Sequence, residues 1–277
     1  MSDLKMLNKI QETEIEILQT IDKICHKHNL VYFGIGGTAL GAVRHEGFIP
    51  WDDDIDIGMP RVDYEKFLEI AREELPSEYH IQHFTTEKKT PFYFTKIRKN
   101  NTKFVEYYIK DHDIHHGIFV DIFPFDNVPK NKIICRIHFR CCRILYQIFL
   151  AKSLKTTSQS RFAHKEGFKG YLRKMLHYFL FFIPKVWIYH TLNWAVQLFN
   201  NQNADEISHI VRRRLRVFLK DLSPITYLRF NSIEMPVPHN YDSYLKGQFG
   251  DYSTLPPEDK RYGHLPYFVE FESEEQR

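Results

Sequence analysis

Cysteine is scarce in this sequence, and the few cysteines form no framework. Four occur among 277 residues, Cys141 and Cys142 are adjacent, and no pair has the C-x-x-C spacing. This pattern excludes a disulfide-stapled scaffold and predicts reduced thiols in a cytosolic protein. The opening stretch MSDLKMLNKIQETEIEIL lacks the apolar core of a secretory signal, so we expect a cytoplasmic location. Internal repeats and low-complexity tracts are absent as well, which excludes a repeat architecture.

Acidic residues are scarce in the middle of the chain. Between Lys130 and Lys220 there are 18 Lys or Arg residues and three acids, whereas the remainder holds 20 basic and 32 acidic residues. This asymmetry favours an anionic surface or partner for the middle segment. The apolar run from 175 to 199 is interrupted by Pro184 and Lys185. We therefore expect core or membrane-surface helices there rather than a membrane span.

The remaining pattern predicts an α+β fold in which helices flank a mixed sheet. Hydrophobic residues make up 43% of the chain, enough for a packed core. Helices are predicted over 3–28 and between Pro60 and Pro76. Four strand-like segments between 79 and 125 (YHIQHF, FYFTKIRK, KFVEYYI and GIFVDIFPF) should extend the sheet, mostly antiparallel. We expect a catalytic core at 1–129, a basic helical insertion at 130–222, and a C-terminal segment at 223–277 that completes the core, with ordered loops in its tail.

Four aspartates occupy five positions in FIPWDDDIDIGMP, residues 48–60. Alternation predicts a strand on which Asp52, Asp54 and Asp56 share one face and Asp53 lies on the other. Such carboxylates repel one another, and Mg²⁺ or Mn²⁺ bound by their oxygens would remove that penalty. A calcium-binding EF-hand loop is excluded, because its sixth and twelfth positions would hold Ile57 and Asp63 instead of Gly and Glu. A solvated acidic turn before the next helix remains the alternative.

Two further motifs favour the metal interpretation. In GIGGTALGAVR, the residues Gly36, Gly37 and Thr38 follow a buried strand and open a helix, which presents backbone N–H groups to a phosphate. In VDIFPFD, Asp121 lies between phenylalanines on a predicted buried strand, where a carboxylate is costly without a partner. We therefore predict Asp121 as the third catalytic carboxylate beside Asp54 and Asp56. Asp126, after Pro124, is expected to be an ordinary loop acid.

These motifs resemble the LicD family, the phosphorylcholine transferases of bacterial surface glycans, whose relatives include the ribitol-phosphate transferases fukutin and fukutin-related protein. The resemblance rests on GIGGTALGAVRHEGFIPWDDDIDIGMPRVDYEKF, VDIFPFD and IEMPVPHNYDSYLKGQFGDYSTLPPEDKR, and it is least characteristic in the basic middle. It implies a nucleotidyltransferase-like fold and a phosphotransferase. The expected donor is a CDP-alcohol, with CDP-choline as the default. The expected acceptor is a sugar hydroxyl of a teichoic acid, lipopolysaccharide or capsule glycan, with a lipid-linked glycan among the candidates, and CMP is released.

The resemblance also assigns expected roles to individual residues. Metal ligands are expected at Asp52, Asp54 and Asp56, and catalysis at Asp54, Asp56 and Asp121. Donor or phosphate binding is expected at Gly36, Gly37, Thr38, Arg44, Lys96 and Arg98. For Arg44 a surface salt bridge is the alternative, and for Lys96 and Arg98 a solvated strand face. His264 is a weaker candidate.

Other functions compatible with the sequence come from two classes. Within the enzyme class, ribitol or glycerol phosphate could be transferred instead, or a nucleoside monophosphate. Outside it, a membrane- or nucleic-acid-binding module could use the basic cluster RRRLR at 212–216 while the acids are structural. No recognised nucleic-acid motif occurs in the sequence, so we expect no nucleic-acid partner. The basic middle segment instead predicts a peripheral position at the inner membrane face.

Overall fold

A computed structural model describes residues 3–154, 175, 178–211, 215–263 and 266–271. Its helices in this part of the chain are α1 (Asp3–His28), α2 (Gly36–His45), α3 (Arg61–Glu74), α4 (Lys132–Ser153), α5 (Lys185–Gln197), α6 (Leu219–Leu222) and α7 (Tyr241–Phe249). Its strands are β1 (Phe33–Gly34), β2 (Asp56–Pro60), β3 (Tyr79–Gln82), β4 (Thr95–Lys99), β5 (Lys103–Val105), β6 (Phe119–Asn127), β7 (Glu206–Ser208), β8 (Arg216–Phe218), β9 (Thr226–Phe230), β10 (Ile233–Val237) and β11 (Phe268–Glu270).

The principal sheet is mixed, as predicted. Its strand order is β1-β2-β6-β4-β3, and β7 pairs with the end of β6 and with β8. Strands β2 and β6 are parallel, whereas β1–β2, β4–β6 and β3–β4 are antiparallel. Helices α1 and α3 pack against β6 and bury the stripe that the periodicity of α1 predicts, including Ile17, Leu18 and Ile21. The prediction of a mixed sheet with flanking helices is confirmed.

Strand β5 departs from the expectation. The segment KFVEYYI was predicted to extend the principal sheet, but β5 pairs antiparallel with β11 in a separate two-stranded sheet. The pairing joins Phe104 to Val269, which are far apart in the sequence. The strand-like pattern therefore identified the strand but not its partner, because alternation carries no information about distant pairing.

The basic middle contributes a helical pair with its own apolar cluster. Helices α4 and α5 pack on each other, and the ring of Tyr189 stacks on Phe84 with centroids 4.0 Å apart. The ammonium of Lys185 donates a 2.6 Å hydrogen bond to the carbonyl of Thr90. The pair thus docks on the loop between β3 and β4. Of the helices in the described ranges, none has both the length and the apolar character that a bilayer span requires.

Asp126 lies in β6 and is 1% exposed, so the expectation of an ordinary loop acid is wrong. Both of its carboxylate oxygens accept hydrogen bonds from Arg61, at 2.8 and 2.7 Å, and one also accepts from Asn200 at 2.7 Å. This bidentate pair fixes the first residue of α3 on the sheet. Asp126 therefore holds α3 on the sheet.

The C-terminal tail was predicted to form loops, but it contains the hairpin β9–β10 and helix α7. The side chain of Asn240 caps α7 by accepting the backbone N–H of Ser243 at 3.2 Å. Tyr244 and Leu245 are buried by the helix. The Pro- and Gly-rich composition of the tail concealed a capped helix of nine residues.

Candidate active site

Three charged side chains form a row across the principal sheet. Asp56 on β2 is the register partner of Asp121 on β6, and Asp121 is the register partner of Lys96 on β4. Directly opposed residues on neighbouring strands project to the same face, so the two strand carboxylates and the lysine adjoin one another. The predicted association of Asp56 with Asp121 is therefore a consequence of the sheet register.

Asp52, Asp53 and Asp54 converge just before this row. Each offers a carboxylate oxygen, and these oxygens lie within 4.8 Å of one another. The segment before Asp56 is not a strand, since β2 begins at Asp56. Burial nevertheless alternates there as predicted, with Asp53 buried and both Asp52 and Asp54 half-buried. The structure groups Asp53 with two of the predicted metal ligands, while Asp56 is the next acid along the chain.

Glu14 of α1 was not predicted as a site residue. Its side chain is 1% exposed, and its Oε2 atom has no hydrogen-bond partner among the described residues. Burial raises the pKa of Glu14 well above its usual range, and the charges of Asp54, Asp53, Asp52 and Asp121 raise it further. A sequence signal existed, since Glu14 interrupts the buried stripe of α1 between Ile10 and Ile17, four residues after one and three before the other.

The glycine turn faces these carboxylates. Gly36 begins α2 with φ of 53°, a left-handed conformation that favours glycine. A Cβ atom on Gly37 would lie 2.5 Å from Asp52 Oδ2, so a larger residue would collide with the cluster. The hydroxyl of Thr38 accepts the backbone N–H of Asp56 at 2.8 Å and so joins the turn to β2. The N-terminus of α2, with its positive dipole end, therefore adjoins the acids.

Lys96 is the cation inside the site. It is 2% exposed, and its Nζ atom donates to both carboxylate oxygens of Asp121, at 2.8 and 3.0 Å. The same atom lies 3.3 Å from the ring centroid of Phe119 and 3.9 Å from Glu106 Oε2. Burial raises the pKa of Asp121, and the charge of Lys96 opposes that rise. The pair is thus a buried charge balance between β4 and β6.

Other predicted phosphate ligands are engaged elsewhere. Arg98 is fully buried, and it donates to Gln82 Oε1 at 2.7 Å and to the carbonyl of Gly117 at 2.6 Å. Arg44 lies in the last turn of α2, at the opposite end from the glycine turn, and donates to the carbonyl of Tyr252 at 2.8 Å. The structure does not bring Arg44 to the acid cluster. His264 and residues 212–214 of the basic cluster lie outside the described residues.

The arrangement defines a class of site. A carboxylate cluster beside a glycine-initiated helix N-terminus is typical of phosphoryl-transfer sites, in which the acids hold a cation and the amides hold phosphate. Residues 29–140 match the family model described as the LicD/FKTN/FKRP nucleotidyltransferase domain. The resemblance to the LicD family drawn from the sequence motifs is therefore confirmed over residues 29–140.

Two kinds of relative are similar to this chain over very different lengths. The lipopolysaccharide cholinephosphotransferase LicD of Haemophilus influenzae is 26% identical over 90% of this chain and 92% of its own length. The ribitol 5-phosphate transferases FKRP of Mus musculus and Homo sapiens are each 29% identical, over 38% of this chain and 18% of their own length. Similarity to the first therefore extends well beyond the matched domain, and similarity to the others covers a small part of each protein.

Proposed function

We propose that this chain transfers a phospho-alcohol, in the default case phosphocholine, from a CDP-alcohol to a sugar hydroxyl of a cell-surface glycan. The observation that carries the proposal is the alignment with the Haemophilus cholinephosphotransferase over nearly the whole length of both chains. The carboxylate cluster beside the glycine turn is the chemical support. Ribitol phosphate is the second candidate cargo, because the chain also resembles the FKRP ribitol 5-phosphate transferases over a shorter range.

The residues present fit a divalent cation. The buried Oε2 atom of Glu14 has no partner among the described residues, and the oxygens of Asp52, Asp53 and Asp54 converge nearby. Oxygen donors of this kind suit Mg²⁺ or Mn²⁺. We propose that these four residues, together with Asp56, hold the cation. When bound, it supplies positive charge against the phosphates of the donor.

We propose that the remaining residues of the site position the substrates, balance charge or accept a proton. The backbone N–H groups of Gly37 and Thr38 steady a donor phosphate at the start of α2. Lys96 keeps the charge of Asp121 balanced within the sheet. The acceptor oxygen forms a new bond to the phosphorus that carries the alcohol, and the bond from that phosphorus to the CMP oxygen breaks. Asp121, whose pKa burial raises, takes the acceptor proton.

The expected result is CMP release that depends on donor, acceptor and metal. Purified protein is incubated with a panel of CDP-alcohols and a glycan extract, with and without Mn²⁺, and nucleotides are separated by chromatography. CDP-choline should give CMP, and the phosphocholine should appear on the glycan. Release of free phospho-alcohol with transfer of CMP to the glycan would replace the proposal with nucleotidyl transfer. Absence of release from every donor would contradict it.

We also propose a peripheral contact with the inner membrane face through the outer faces of α4 and α5. Five large apolar side chains there are between 55% and 68% exposed: Ile133, Ile137, Ile144, Trp187 and Trp194. Exposed apolar residues beside basic ones are typical of helices that lie in a lipid interface.

Vesicle flotation tests this contact. The protein should float with phosphatidylglycerol vesicles at low salt and less with phosphatidylcholine vesicles, because anionic lipid attracts the basic residues. The double substitution Trp187→Ser and Trp194→Ser should abolish flotation, whereas Tyr262→Ser, which removes an exposed aromatic outside the helical pair, should not. Equal flotation of the three proteins would refute the proposed surface.

A further inference from the structure

A large cavity runs from the candidate active site towards the basic helix α4. Its volume is about 1370 Å³, above the roughly 300–1000 Å³ typical of a pocket for one small ligand. Gly36, Gly37 and Asp56 line one end, α4 forms one wall, and α7 with β8 forms another. The cavity therefore has room for an extended molecule whose one end reaches the acid cluster.

Three arginines of α4 line this cavity. Arg136, Arg140 and Arg143 are spaced four and three residues apart, so they form one stripe along the helix. All three are exposed, and none forms an ion pair with another described residue. Like charges at this spacing destabilise a helix unless an anion lies across them. The stripe is therefore suited to phosphate groups, which arginine binds with two parallel hydrogen bonds.

The walls of the cavity also carry aromatic surface. Phe218 and Phe249 line it and are 48% and 45% exposed, and Tyr146 is half-buried beside the arginine stripe. Flat apolar faces of this kind can pack against the C–H face of a sugar ring, while the arginines bind charged substituents. The cavity therefore offers contacts for both phosphate and sugar.

We infer that the arginine stripe binds phosphate groups of the glycan acceptor and directs its hydroxyl to the Asp56 end of the cavity, beside Asp121. This inference rests on the proposed function and adds a chemical requirement: the acceptor carries phosphate close to the sugar that is modified. Such phosphate could be a phosphodiester within the glycan or the diphosphate of a lipid-linked sugar.

The position of the stripe favours the acceptor over the donor. The glycine turn and Asp56 line one end of the cavity, whereas the three arginines lie on the wall that α4 forms. The glycine turn, Asp56 and Asp121 lie inside the domain and already provide for the diphosphate of the donor. The part of the cavity along α4 therefore remains for the second substrate.

The test neutralises the three arginines of the stripe and compares this variant with one that loses three positive charges elsewhere. The triple substitution Arg136→Gln, Arg140→Gln and Arg143→Gln should raise the KM for a phosphorylated acceptor at least about tenfold, with the KM for the CDP-alcohol unchanged. The control Lys5→Gln, Lys23→Gln and Lys66→Gln removes three exposed charges from α1 and α3 and should leave both constants unchanged. KM values for a soluble phosphorylated glycan and for a detergent-dispersed lipid-diphosphate sugar distinguish the two sources of phosphate.

A binding measurement keeps this inference separate from the proposed reaction. Inorganic pyrophosphate is titrated calorimetrically at low salt with EDTA present, so that binding does not depend on a cation at the acid cluster. Wild type and the lysine control should bind it, and the arginine variant should not, even if no CDP-alcohol is turned over. Unchanged pyrophosphate binding in the arginine variant would overturn the inference. The inference would also be overturned if the arginine variant showed a raised KM for the CDP-alcohol alone. The same holds if the arginine variant lost only its binding to vesicles.

Discussion

Replacing Asp54 or Asp56 with Asn should lower phospho-alcohol transfer by about 1000-fold or more, equivalent to about 4 kcal/mol of activation free energy. The amide keeps the shape of the side chain but removes the negative charge that a cation and the donor phosphates require. Asp56 adjoins Asp121 through the strand register, and Asp54 belongs to the converging carboxylates. CMP release under saturating Mn²⁺ measures the effect.

The fold of these variants should be intact, because each substitution relieves repulsion between neighbouring carboxylates. In thermal unfolding without metal, their Tm should equal or exceed that of wild type. Added Mn²⁺ should raise the Tm of wild type and have a smaller effect on Asp54→Asn, since a ligand that binds only the folded state stabilises it. Asp111→Asn, which changes an exposed acid outside the cluster, should behave as wild type in both assays. Full turnover by either active-site variant would exclude a catalytic role for that residue.

Local order along the chain made much of the site predictable. A short strand, a Gly-Gly-Thr turn, a helix, a loop and an acidic strand follow one another within 30 or so residues, and each step has its own local signature. Asp121 was predictable because an acid between phenylalanines on a buried strand requires a partner. That partner within the protein is Lys96, which the pattern placed on a strand face but could not pair with Asp121.

The parts that sequence reasoning missed depend on contacts between distant residues or on where a strand begins. Asp53 lies close to Asp52 and Asp54 in a segment before β2, and alternation cannot locate the start of β2 at Asp56 to the residue. Glu14 reaches the cluster only when α1 packs on the sheet. The bidentate pair of Arg61 with Asp126 joins residues 65 positions apart, and nothing near Asp126 in the sequence indicates it. Local periodicity therefore identifies elements, whereas tertiary packing decides which charges meet.

The arginine stripe illustrates the same division. Sequence alone indicated a basic middle suited to an anionic surface or partner, without choosing between them. In the structure, Arg136, Arg140 and Arg143 line the cavity, whereas the exposed Ile133 and Ile137 are not among its lining residues. One helix can therefore contribute to both a lipid-facing surface and a substrate cavity, and the two uses predict different effects of substitution.

Lys96→Met should destabilise the protein by about 3–5 kcal/mol, because it leaves Asp121 as an uncompensated charge in the buried sheet. The midpoint of urea unfolding measures the change. The double substitution Lys96→Met and Asp121→Asn removes both charges and should recover most of the lost stability, since a buried ion pair can be replaced by neutral groups at small cost.

The same double variant separates stability from chemistry. It should remain inactive in CMP release although it is folded, because the proton acceptor at position 121 is gone. Arg61→Met supplies the comparison, because it breaks a second buried ion pair, with Asp126, and should lose stability for the same reason. Adding Asp126→Asn to Arg61→Met removes the remaining charge of this pair and should recover activity together with stability. If Lys96→Met proved as stable as wild type, the pair with Asp121 would carry no net structural role, and Lys96 would instead be free to contact the donor phosphates directly.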